Sequence, residues 1–306
     1  GVGGDLRFLV RRQQAPLGGP KAGEELIHAE GLGHVVVGAR VKGPDLVRLL
    51  VASREHQDRH TAPGPDALDH VDTIDPRQAE RRIISAIKGN TITLDRKLEY
   101  MHFGKITYDV DERGEVGLLT RNIKIQASAD AEQSFQGGHV MAMGASKMFV
   151  EGVEFNRMGQ NLTLARYPIH WHLVGDAKGQ YIRNAGIHDT FSRCVTVHGT
   201  NFLRVENNVT YNTVGHCFFL EDGIETGNQY IRNLAIQTKC HTSKPCDPTN
   251  LAPFGSTSDG LNFKTTGQDS KDVLIPSDNT VSSFWITNPG NTYRDNVAAG
   301  SDATGF

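Results

Sequence analysis

Apolar and polar residues alternate along this chain in short, strand-sized runs. "RRIISAIKGNTITLDRKLEY" (81–100) reads as a strand, a Gly-Asn turn and a second strand with alternating Ile92, Thr93 and Leu94. "GEVGLLTRNIKIQAS" continues in short apolar runs. No long stretch carries a 3.6-residue period, so the pattern predicts strands throughout.

The runs also repeat. Between "YIRNAGIHDTFSRCVTVHG" (181–199) and "LRVENNVTYNTVGHCFFLEDG" (203–223), a step of 23 residues carries Asn184 onto Asn207. The same step carries Arg193 onto His216, Cys194 onto Cys217 and His198 onto Glu221. A step of 26 carries His172 onto His198 and Asn207 onto Asn233, and Asn296 sits in the same local setting. "KMFVEGVEF" (147–155) reads as an earlier, diverged copy. A period of 22–26 residues with Gly turns and a recurrent Asn predicts an all-β fold, a parallel β-helix of three short strands per coil. Equivalent residues then stack about 4.8 Å apart. The asparagines are predicted to form an internal amide ladder, with Asn208 in a packed turn.

This register decides which side chains face out. In "PIHWH", "CVTVH" and "CFFLE", Ile169, Val195 and Phe218 share one position, and Trp171, Val197 and Leu220 another. Both rows are apolar and should face the interior, so the alternate rows face out. One outward row is His170, Thr196 and Phe219. The next is His172, His198 and Glu221. The prediction is an exposed face carrying stacked ionisable groups, with Arg193 and His216 at the strand entrance. Asp222 follows Glu221 and should point the other way. Imidazoles and carboxylates this close suit either acid–base chemistry or a metal. Glu221 or Asp222 is the candidate acid at a leaving oxygen. His172 or His198 is the candidate base, and Arg193, His216 and His170 are candidate substrate contacts. The alternative role is a divalent-metal set of His170, His172, His198 and Glu221.

The remaining features change the picture less. The net charge of -3 gives no basic field for nucleic acid or an anionic membrane. No apolar run approaches the roughly 18–20 residues of a membrane span, and no signal peptide opens the chain. It begins without Met, as a fragment lacking its targeting segment would. In "KCHTSKPCDP", Cys240 and Cys246 are close enough for a disulfide, with a reduced pair as the alternative. His56, His60 and His70 read as solvated loop residues, His188 as a surface residue, and Asp176 and Asp189 as turn residues. Asn161 and Asn208 match the glycosylation pattern. Residues 1–72 read poorly, with "HVVVGARV" as one strand-like run.

The motifs that carry the site also carry a resemblance. "RMGQNLTLARYPIHWHLVGD", "IHDTFSRCVTVHGTN", "NTVGHCFFLEDGIE", "LIPSD", "SFWITNPGN" and "NVAAGSDATGF" occur in order. Together they resemble the CEMIP and TMEM2 family of G8-domain, hyaluronan-degrading proteins. The resemblance runs from about 73 to 306. It implies a secreted or cell-surface, right-handed parallel β-helix that depolymerises hyaluronan, with calcium as a requirement in part of the family. It also implies the end of a G8-like region and its join (73–120) and a β-helix core (121–306) with further coils beyond "DATGF"; residues 1–72 match the family poorly, as a diverged G8-like segment would. The function expected is extracellular cleavage of hyaluronan or a related uronate-containing polysaccharide. The alternatives are a lyase acting by β-elimination and a non-catalytic carbohydrate-binding or adhesion module.

Overall fold

The computed structural model describes residues 78–100, 102, 106–107, 109–111, 113–240 and 281–306, with the backbone of strands Leu9–Arg12, Ile27–Glu30, Val35–Val37 and Val47–Ala52. Three stacks of parallel strands form a parallel β-helix. The first sheet runs Ile123–Gln126, Val153–Asn156, Gly186–His188, Val209–Val214, Leu234–Lys239 and Val297–Ser301. The second runs Val140–Met143, Ile169–Asp176, Val195–Asn201, Phe218–Leu220 and Phe284–Trp285. The third runs Phe149–Glu151, Tyr181–Arg183, Arg204–Glu206, Gln229–Ile231 and Thr292–Arg294. Among the described residues no helix is long and apolar enough to cross a membrane.

Alternate side chains from all three sheets fill the interior, as period-2 patterning requires. Ile169, Trp171, Ile182, Ile187, Val195, Val197, Val205 and Leu220 are fully buried. Aromatic rings continue the rows from coil to coil: Phe218 stacks on Phe284 at 4.8 Å and Tyr230 on Tyr293 at 4.9 Å. Such pairs add to plain area burial, by about 0.5–1.5 kcal/mol each.

The asparagines form two ladders where the repeat predicted one. Asn208 donates to Asn233 (2.9 Å) and Asn233 to Asn296 (3.0 Å) in the inner ladder. Asn207 donates instead to Asn184 (2.9 Å). The strand register sets Arg204 opposite Gln229 and Val209 opposite Leu234, a step of one residue less than the 26 that aligned Asn207 with Asn233. Asn184, Asn207, Arg232 and Asp295 all have φ between 53° and 60°. Their common role is a left-handed corner, which Asn and Asp tolerate best among non-glycine residues. Asn208 is fully buried, as a packed turn requires.

An antiparallel sheet precedes the helix, in the order Thr91–Leu94, Glu80–Lys88, Val47–Ala52 and Glu115–Leu118. Lys88 pairs with Thr91 across Gly89 and Asn90, the predicted hairpin. Within the strand-like run "HVVVGARV" the strand is Val35–Val37. The antiparallel sheet docks on the outer side of the first helix sheet, where Leu119 and Ala79 pack with Val209, Leu234, Ile236 and Ala299. Gly186 is required there: a Cβ would lie 2.1 Å from the Leu119 carbonyl oxygen.

Candidate functional site

The second sheet delivers the predicted register. Ile169 pairs with Val195 and Val195 with Phe218, while His170 pairs with Thr196 and Thr196 with Phe219. His172 pairs with His198. The strand ends at Leu220, and the Glu221 N–H still bonds the Val197 carbonyl at 3.1 Å, which sets Glu221 beside His198.

The outward face is less open than the alternation predicts. His170, Thr196 and Phe219 are fully buried. The segment 157–168 folds over this row and lays the Tyr167 ring 5.0 Å from His170. Gly159 (φ +85°) permits that fold, since a Cβ would lie 2.9 Å from Pro168 and 3.0 Å from the Ser192 carbonyl. Arg193 is sandwiched between Tyr167 (4.5 Å) and Phe219 (3.6 Å), and His216 lies against Phe219 (5.4 Å) and Trp285 (4.3 Å). Arg193, His216 and His170 are therefore enclosed, which corrects their assignment as direct substrate contacts. Arg193 stands behind Glu221, its Nη1 3.8 Å from Oε1.

His172, His198, Glu221 and Asp222 form the accessible rim. His198 Nδ1 lies 3.0 Å from His172 Nδ1 and 3.4 Å from Glu221 Oε2. His170 Nε2 approaches the same Oε2 to 3.7 Å from below. His198 Nε2 pairs with Asp222 Oδ2 at 2.8 Å. Asp222 thus joins the cluster rather than turning away. Strand alternation ends at Leu220, and the turn through Gly223 (φ 76°) swings the carboxylate back. Glu225, fully buried, braces that turn by accepting the N–H groups of Gly199 (2.8 Å) and Asp222 (3.2 Å).

Two contributors escaped the strand pattern. Tyr167 donates its hydroxyl to Glu221 Oε1 at 2.9 Å, and the Ala165 carbonyl meets His170 Nδ1 at 3.3 Å. Both come from the covering segment, and the Tyr-Pro ahead of "IHWH" is the sole hint in the sequence. Burial holds the His170 imidazole down at about 3, with the neighbouring imidazoles and Arg193 adding to the effect. Burial and then the His198 charge also lower His172. Burial and Arg193 hold His216 well below the usual histidine range.

Ligand atoms of His170, His172 and His198 lie within 4.8 Å of one another. With Glu221 the donor set is three nitrogens and one carboxylate. It does not fit calcium, which takes six to eight oxygens, and it suits a zinc-type ion.

A second histidine cluster lies on the first sheet. His188 is buried, not on the surface, and Arg81 of the antiparallel sheet reaches its neighbour Asp189. Its Nε2 bonds Glu154 Oε1 (3.0 Å) and its Nδ1 bonds Asp189 Oδ2 (2.8 Å). Asp189 is no simple turn residue: its two oxygens share the Arg81 Nη2 donor (3.0 and 2.8 Å), and it also accepts from the Asn212 amide (2.6 Å). Lys124 Nζ (2.8 Å) and the Arg121 N–H (3.1 Å) reach Glu154.

A disulfide joins Cys194 to Cys217, whose Cα atoms lie 4.5 Å apart; the repeat aligned these two residues, but the disulfide expected was Cys240–Cys246. Cys240 is also disulfide-bonded. Its expected partner Cys246 lies outside the described residues, as do His56, His60 and His70.

The CEMIP beta-helix family model matches residues 135–306. The mouse cell migration-inducing and hyaluronan-binding protein is 40% identical over 236 residues, covering 69% of this chain and 16% of that protein. The human cell surface hyaluronidase CEMIP2 is 40% identical over 229 residues, covering 68% of this chain and 16% of that protein. A G8 domain-containing protein of Dictyostelium discoideum is 35% identical over 229 residues, covering 73% of this chain and 14% of that protein. The chain thus spans about one sixth of these relatives' length.

Proposed function

We propose a function from one premise: this chain belongs to the CEMIP β-helix family. The function is cleavage of glycosidic bonds in hyaluronan or a related uronate-containing polysaccharide, at the rim of the second sheet. Two relatives bear hyaluronidase or hyaluronan-binding names. The observation that carries the reading is the convergence of His172, His198, Glu221 and Asp222 at one accessible edge.

Roles follow from exposure. The Glu221 side chain is 15% exposed and held from behind by Tyr167 and Arg193, whereas that of Asp222 is 42% exposed. Asp222 therefore takes the role of acid at the leaving oxygen once it is protonated, with His198 Nε2 beside it. His172 and His198 line the position of the attacking water. Glu221, with Oε1 held by Tyr167 and Oε2 facing inward, positions His198 beneath that water.

The disulfide Cys194–Cys217 supports an extracellular or cell-surface setting, since such bonds persist in oxidising compartments. Incubation with hyaluronan, followed by chain-length analysis, tests the reading. Shortened chains without unsaturated-uronate absorbance are expected. Absorbance would indicate elimination instead, and binding without shortening would leave a carbohydrate-binding module.

A further inference from the structure

We propose that His170, His172, His198 and Glu221 bind one divalent transition-metal ion of the zinc type. The reasoning begins with protons. The Ala165 carbonyl can only accept, so His170 Nδ1 carries the hydrogen of that contact and Nε2 presents a lone pair. An ionised Asp222 accepts from His198 Nε2, and His198 Nδ1 then presents a lone pair as well. Tyr167 donates to Glu221 Oε1 and leaves Oε2 facing inward. These three acceptors point at one another. His170 Nε2 and Glu221 Oε2 are buried without a hydrogen-bond partner. A buried acceptor left unsatisfied costs about 1–3 kcal/mol, and here two of them face each other.

A single proton between His172 Nδ1 and His198 Nδ1 does not relieve the pair below it. A cation does. An ion at 2.0–2.1 Å from four tetrahedral donors separates those donors by roughly 3.3 Å. Three of the six separations are 3.0 Å (His172 to His198), 3.4 Å (His198 to Glu221) and 3.7 Å (His170 to Glu221), and the three histidine nitrogens all lie within 4.8 Å of one another. Three of the four donors also have the outer partner that metal ligands usually have: a backbone carbonyl on His170, a carboxylate on His198 and a hydroxyl on Glu221. At the rim such an ion would supply a positive charge beside the bound polymer. The site stands whether or not the polymer is cleaved.

The test uses the full chain, free of any affinity tag and stripped with dipicolinate. Zinc chloride is titrated by calorimetry and cobalt chloride by its visible d–d absorption. One equivalent of either ion per chain is expected, and calcium chloride should not compete. His172→Ala and His198→Ala, both at the partly exposed rim, should each weaken binding by more than about 100-fold, and Asp222→Asn by about 10–100-fold. Circular dichroism melts establish that each variant is folded. Absence of zinc uptake by the wild-type chain would overturn the proposal. So would unchanged affinity in folded His198→Ala. Because no polysaccharide is present, failure to cleave hyaluronan by a zinc-loaded chain would remove the proposed function and leave the metal site intact.

Discussion

The two histidine clusters use the same residue types to opposite ends. Around His188, each ring nitrogen meets a carboxylate, and each carboxylate also meets Arg81 or Lys124. Its interactions close on themselves beneath the antiparallel sheet, and the network fastens that sheet to the helix. Around His198, the groups accumulate lone pairs with too few protons, and two buried acceptors stay unmatched. Burial does not separate the clusters, since His170 and His188 are both enclosed. Partner accounting at the histidines does: around His188 both ring nitrogens meet carboxylates, with the Arg81 Nε left over at the network's edge, whereas around His198 two facing acceptors lack a proton between them.

The comparison can be broken most sharply by activity. His198→Ala and Asp222→Asn should each lower hyaluronan cleavage by about 10²–10⁴-fold, measured as initial rates of chain shortening, with little change in the melting midpoint. Folded Arg81→Ala should retain wild-type turnover. Equal losses in both sets would erase the distinction between the clusters.

Stability should show the reverse order. Glu154→Ala leaves His188, Lys124 and the Arg121 N–H without their shared carboxylate and should cost about 3–5 kcal/mol. Urea unfolding reads this directly. A loss below 1 kcal/mol, within the range of exposed pairs, would show the network to be incidental.

The smallest effect concerns acid. Burial pushes Asp189 and Glu154 upward, but the His188 hydrogen bonds, with Arg81 at Asp189 and Lys124 at Glu154, outweigh it and leave both carboxyls below their usual values. Folded carboxyls titrating lower than unfolded ones contribute stability that is fully present above the unfolded value, near 4. That contribution is lost as the pH falls below it toward the folded values. Denaturant midpoints measured between neutrality and acid should therefore drop on the acid side. Arg81→Ala should shrink the drop by about 1 kcal/mol or less, because the Arg81–Asp189 pair is partly exposed. An unchanged acid profile in that variant would show that Arg81 does not set the Asp189 ionisation.

Much of the architecture was legible because stacking is periodic. The steps that aligned His172 with His198 and Cys194 with Cys217 are the registers found. The step from Asn207 to Asn233 missed by one residue, since coils differ in length and a corner Asn resembles a ladder Asn in sequence. The site was legible along its rim and not across it. Nothing in strand alternation predicts that Tyr167 covers His170, that Arg193 is enclosed between two rings, or that a turn returns Asp222 to His198.

The sequence by itself determined the coil, its inward rows and the stacking of His172, His198 and Glu221, because neighbouring coils share one repeating geometry. The tertiary structure decided which of these groups meet solvent, which are sealed and which lack a partner. Those outcomes depend on turns and on the covering segment 157–168, whose paths follow from contacts distant in the chain and not from any local period.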